Sequence, residues 1–140
     1  MPASFESFGI KFLYPDNWVK VDRGEDEGKD GVTLELPTGG FFTIEREHEG
    51  QIDEEIIEEL SEAFEQEYEQ VERENIVLQD ASPNERAVEF RFYYLDLLVI
   101  SRAVILHIDE STYLIQMQAE SRDFDTNEMV FSAILKQIRG

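Results

Sequence analysis

The stretch LLVISRAVIL at residues 97–106 constrains the fold most, because it is apolar at both alternating sets of positions. An antiparallel strand with one face in water alternates apolar and polar residues, whereas a strand that is covered on both faces is apolar throughout. We therefore predict that this stretch is a central strand with a layer packed on each side. Two helices, or one helix and an N-terminal hairpin, would supply those layers.

Six further stretches have the composition of short strands, and the connections between several of them are short. The strands are predicted at residues 8–13, 32–36, 42–45, 76–78, 86–94, 97–108 and 112–120. Neighbouring strands joined by such short connections are typical of an antiparallel meander.

Two amphipathic helices interrupt or follow the strands. Asp53 is expected to cap the first helix, and Asp125 is expected to cap the second, with Glu128 at the capping-box position. The apolar stripe of the first helix consists of Ile56, Ile57, Leu60, Ala63, Phe64, Tyr68 and Val71. The predicted order is β-β-β-α-β-β-β-β-α. This order predicts one α+β domain over residues 1–140, an antiparallel sheet of six or seven strands in a three-layer α/β/α sandwich.

The charge of the chain limits the partners that it can attract. Its 12 Lys and Arg residues against 32 Asp and Glu residues give a net charge of −20. Nucleic acid and anionic membranes are therefore not expected as partners, whereas a basic protein or peptide would be attracted. The same acidity is also typical of a protein whose surface is adapted to salt, and the sequence leaves both interpretations open.

The sequence contains no motif typical of disulfides, membrane segments, metal sites or catalytic sites. The chain has no cysteine, and no stretch has the form of a signal peptide or of a membrane span, so we expect a cytoplasmic protein without disulfides. The acidic loop at residues 22–31 departs from the EF-hand pattern, because Gly28 and Pro37 stand at ligand positions. Neither His48 nor His107 belongs to a catalytic or zinc motif. We expect no enzyme activity, no metal and no cofactor.

The lone tryptophan follows a turn in the sequence YPDNW at residues 14–18. The chain resembles the PsbP-like fold in the order of its elements. These are this turn, the segment GVTLELPTGGFFTIERE, an amphipathic helix, a meander and the C-terminal segment ILKQIRG. The resemblance implies that Pro15 ends the first strand and that Trp18 packs beneath the turn. The same fold occurs in photosystem II PsbP, the yeast Ran-binding import factor, the DcrB lipoproteins and the Eag chaperones of secretion effectors. Of the Gln-Arg pair typical of Eag chaperones, the chain keeps only Arg102, after Ser101.

We therefore predict a non-enzymatic binding or chaperone-like module that takes a protein or peptide partner, either basic or containing an apolar helix. An acidic structural or regulatory protein adapted to salt, and a hydrolase with an unrecognised site, remain as alternatives. The predicted binding residues lie on the meander and are Arg91, Tyr93, Arg102, Leu114, Gln116 and Gln118. A loop of two or four residues in the 108–113 region would place the two glutamines, together with Leu114, beside Ser101, Ala103 and Ile105.

Overall fold

A computed structural model of the chain describes residues 2–22 and 30–140. The elements in these ranges are β1 (Ala3–Ser7), β2 (Ile10–Tyr14), β3 (Val19–Val21), β4 (Gly31–Glu35), β5 (Phe41–Arg46), α1 (Asp53–Glu67), β6 (Glu72–Ile76), β7 (Arg86–Tyr94), β8 (Leu97–Ile108), β9 (Ser111–Glu120) and α2 (Ser121–Arg139). Seven strands form one antiparallel sheet in the order β3-β4-β5-β9-β8-β7-β6, and β1 and β2 form a separate hairpin. The predicted α+β class is confirmed, and two strands that were not predicted, β1 and β3, precede α1.

The long apolar strand β8 lies inside the sheet between β7 and β9, and it is covered on both faces as predicted. Val104 and Leu106 pack into the core that contains the buried side chains of α2. Ala103 and Ile105 point to the other side and pack against Ile56 and Ile57 of α1. The two helices therefore occupy opposite faces, and these are called the α2 face and the α1 face below.

The N-terminal hairpin shares the α2 face with α2. The side-chain amide of Gln137 donates to the carbonyl of Leu13 and accepts from its N–H, at 3.1 and 2.8 Å. Trp18 is 3% exposed, and its backbone N–H donates to the carbonyl of Pro15 across the turn. Its ring centroid lies 5.9 Å from that of Phe42, so the prediction that Trp18 fills the core beneath the turn is confirmed.

Both helices begin differently from the prediction. Ile52 occupies the cap position of α1 without a side-chain hydrogen bond, and Asp53 is the first helical residue. Asp125 lies inside α2, whose cap is Glu120, and the Glu120 carboxylate accepts from the N–H of Arg122 at 3.0 Å. The predicted caps were wrong because β9 continues into α2 without a loop, and because the Asp53 carboxylate instead contacts His107.

Candidate functional site

Three of the six predicted binding residues lie together on the α2 face. The Arg102 guanidinium stands 4.9 Å from the ring centroid of Phe124 in α2, and Arg91 pairs across the sheet with Ile100, which packs at the edge of the same core. Tyr93 lies two residues further along β7 on the same face and is 63% exposed. These residues form a strip that runs from beneath α2 toward the end of the β7–β8 hairpin.

The other three predicted residues lie on the α1 face, and the predicted register is confirmed. Leu114, Gln116 and Gln118 pair with Ile105, Ala103 and Ser101 in that order. Leu114 is packed within the core formed by α1, and Gln116 donates to the Ser101 hydroxyl at 2.9 Å. Both are buried, so this group offers little accessible surface. The structure thus divides the predicted residues between two opposite faces.

A groove of about 640 Å³ on the α2 face lies between α2 and residues 76–80, the segment that follows β6. Two large apolar side chains that line it, Val77 and Met129, are 90% and 84% exposed. Its apolar lining consists of Ile76, Val77, Leu78, Met129, Ala133 and Leu135. The sequence analysis missed these residues, because the groove depends on the path of the 77–85 connection and on where α2 begins.

Charged side chains at the floor of the groove are joined to one another. The Arg102 guanidinium donates to Glu89 and lies 2.9 Å from Glu128 of α2, and Glu89 also accepts from Arg91 at 2.9 Å. The hydrogen bond with Glu74 raises the pKa of Arg91, which therefore stays cationic. Because each of these charges already has a partner, an apolar group could cover the floor without burying an isolated charge.

One end of the groove is fixed by an ion pair between its two walls. Arg139, near the end of α2, donates through two nitrogens to the two carboxylate oxygens of Glu85, at 2.7 and 2.6 Å. The side chains are 10% and 1% exposed. Glu85 belongs to the connection that leads from the groove into β7, so this pair holds α2 against that connection.

His107 lies on the α1 face, at the end of β8 near Glu85 and Arg139, and has contacts at both ring nitrogens. Its Nδ1 is 3.1 Å from the Thr112 hydroxyl on the neighbouring strand, and its Nε2 is 3.0 Å from the Asp53 carboxylate. These contacts join the end of β8 to the first turn of α1. Over residues 2–22 and 30–140, no cluster of three or more His, Asp and Glu side chains is arranged to hold a metal ion. Most of the acidic loop at 22–31 lies outside the described residues.

Comparison with solved structures identifies the fold. The solution structure of cyanobacterial PsbP from Synechocystis sp. PCC 6803 matches with a TM-score of 0.66 at 14% identity, covering 97% of this chain and 90% of that chain. The crystal structure of PA94, a protein of unknown function from Pseudomonas aeruginosa named as a candidate regulator, matches with a TM-score of 0.51 at 14% identity. That match covers 94% of this chain and 91% of PA94.

The chain thus has a PsbP-like fold, as the sequence resemblance implied. No protein-family model and no curated protein matches the sequence. Within the described ranges, neither helix combines the length and the apolar character that crossing a membrane requires.

Proposed function

We propose that this protein is a cytoplasmic, non-enzymatic binding module whose groove on the α2 face holds an apolar segment of a partner protein. The observation that carries the proposal is the exposure of Val77 and Met129 where they line the groove, at 90% and 84%. These large apolar side chains stand in water beside a concave apolar lining. Covering them with an apolar segment of a partner lowers the free energy of the system.

The dimensions of the groove suit a short segment of polypeptide. Its volume of about 640 Å³ falls within the range of about 300–1,000 Å³ that is typical of ligand sites. The joined charges of Glu89, Arg102 and Glu128 at its floor provide polar groups that can orient a peptide backbone without an unpaired charge. The strip through Arg91 and Tyr93 extends this surface along β7 for a longer segment.

A titration with a capped, uncharged, leucine-rich peptide, followed by amide NMR signals of the labelled protein, tests the proposal. Because the peptide carries no charge, general attraction to the acidic surface does not contribute. We expect the largest shifts at residues 76–80 and at Met129 and Ala133, since these residues line the groove.

A pair of matched variants provides the control. Val77→Thr keeps the shape of an exposed β-branched side chain but adds a hydroxyl, and it should weaken peptide binding. Val19→Thr makes the same change at an exposed residue of β3, outside the groove, and it should leave binding unchanged. Equal affinities for the two variants, or shifts confined to other parts of the protein, would contradict the proposed site.

A further inference from the structure

The β7–β8 and β8–β9 hairpins have the same two-residue turn but different residues in it. Tyr94 pairs with Leu97 and Ile108 pairs with Ser111, which leaves two residues in each loop. Both loop residues have positive φ in each turn, 50° and 65° in the first and 54° and 76° in the second. Such turns favour Asn, Asp and Gly. Each turn contains one aspartate, Asp96 in the first and Asp109 in the second, and of the two remaining residues Glu110 is charged whereas Leu95 is apolar.

Leu95 therefore combines a left-handed backbone with an exposed apolar side chain. It is 78% exposed, so packing within the protein does not account for a leucine at this position. Four of the ten exposed large apolar side chains in the described residues lie at 93–97, the end of this hairpin. The turn requires the left-handed backbone but not an apolar side chain on it, so an exposed leucine at this position indicates a role outside the fold.

The apolar surface at the hairpin end continues into the core under α1. The Tyr68 ring, just after α1, stacks on buried Phe92 with centroids 4.1 Å apart and meets the Tyr94 ring edge-on at 6.0 Å. Leu97 pairs directly with Tyr94 on the α1 face. We define Tyr68, Tyr94, Leu95 and Leu97 as the tip surface. Its aromatic side chains are held in place before any partner arrives.

The surroundings of the tip surface are acidic. The last turn of α1 contains no basic residue, so the negative end of the helix dipole is not compensated there. Exposed Glu67 and Glu69 flank Tyr68, and exposed Asp96 lies in the turn itself. Burial, followed by the charge of Glu67, raises the pKa of Tyr68.

We infer that the tip surface docks a basic amphipathic helix of a partner protein, whose apolar side covers Leu95 and Leu97 while its cations face the surrounding carboxylates. Charge decides among the possible occupants. A second copy of this chain brings another net charge of −20, and an anionic membrane is also repelled. The tip surface lies on the α1 face, so this inference is independent of the groove.

The test uses a synthetic leucine/lysine amphipathic helical peptide, with a glutamine/lysine peptide of equal charge as the control for electrostatic attraction alone. We expect the leucine/lysine peptide to bind more tightly and to shift the amide signals of residues 94–97. Leu95→Asn should weaken its binding by at least about fivefold, since an anchor residue is lost. The same variant should keep or raise Tm, because Asn tolerates the left-handed conformation.

Asp109→Asn is the matched control, because it changes the equivalent residue of the other turn and should leave affinity unchanged. Equal binding of the two peptides, unchanged affinity in Leu95→Asn, or a lower Tm in that variant would each overturn the inference. Binding to zwitterionic vesicles, or concentration-dependent dimerisation that Leu95→Asn abolishes, would also overturn it in favour of another occupant. Val77→Thr should leave the leucine/lysine affinity unchanged, so failure at the tip and failure at the groove are distinguishable.

Discussion

The ion pair between Glu85 and Arg139 should contribute a large part of the stability of the fold. The Glu85 side chain is 1% exposed and both of its oxygens accept from Arg139, whose own side chain is 10% exposed. Removing one partner of such a pair leaves a nearly buried charge alone, which destabilises a protein by about 3–5 kcal/mol. Glu85→Ala should therefore remove a substantial fraction of the roughly 5–15 kcal/mol that holds a domain of this kind together.

Urea unfolding followed by the fluorescence of Trp18, the only tryptophan, measures this loss directly. With a slope of about 2 kcal/mol/M, the midpoint should fall by about 1.5–2.5 M. The double variant Glu85→Ala/Arg139→Met should recover most of the loss, because no charge is then left buried. A loss below about 1 kcal/mol in Glu85→Ala, or a double variant that is no more stable than the single one, would refute the reasoning.

Three further perturbations test other parts of the structure. Trp18→Ala should cost about 3–5 kcal/mol in urea unfolding followed by circular dichroism, because the buried ring packs on Phe42; a loss below about 1 kcal/mol would contradict its place in the core. Gly40→Ala should cost about 1–3 kcal/mol by the same assay, since its Cβ would stand 2.6 Å from the Gln118 carbonyl oxygen and 2.8 Å from the Ala119 Cβ; a neutral effect would show that β9 yields. Raising NaCl from about 0.1 to 1 M shortens the Debye length from about 10 to 3 Å and should raise Tm by relieving the self-repulsion of a net charge of −20; a flat or falling Tm would count against adaptation to salt.

The parts of the fold that could be predicted from the sequence are those that local patterns determine. Apolar residues on both alternating faces of 97–106 predicted a strand covered twice, and a loop of two or four residues between 108 and 113 predicted the register of β8 with β9 that the structure shows. The helix starts could not be predicted in the same way. Asp53 has the composition of a cap, but its carboxylate contacts His107, 54 residues away, and no local pattern contains that contact.

The division of the six predicted binding residues between the α1 face and the α2 face follows from the register of β8 with β9, which was predicted correctly. If Gln118 lies beside Ser101, then Arg102, the next residue along β8, must point to the opposite face. Strand alternation alone therefore separates the arginines from the glutamines. The groove lay beyond such reasoning, because one of its walls is the irregular segment at 77–80 and the other is a helix that begins four residues earlier than the predicted cap.

The β7–β8 turn departs from the preference of two-residue hairpin turns for Asn, Asp and Gly, because its first residue is Leu95. Both hairpins require left-handed backbone, which costs an ordinary L-residue about 1–2 kcal/mol. Each turn contains one aspartate, which tolerates this conformation, and Leu95 is the one apolar residue among the four. A neutral substitution that only weakened the turn would explain Leu95 by itself. It would not explain why exposed Tyr94 and Leu97 lie next to Leu95, or why the last turn of α1 contains no basic residue. Because backbone strain, apolar exposure and uncompensated negative charge coincide at one end of the sheet, a partner that is both apolar and basic accounts for all three.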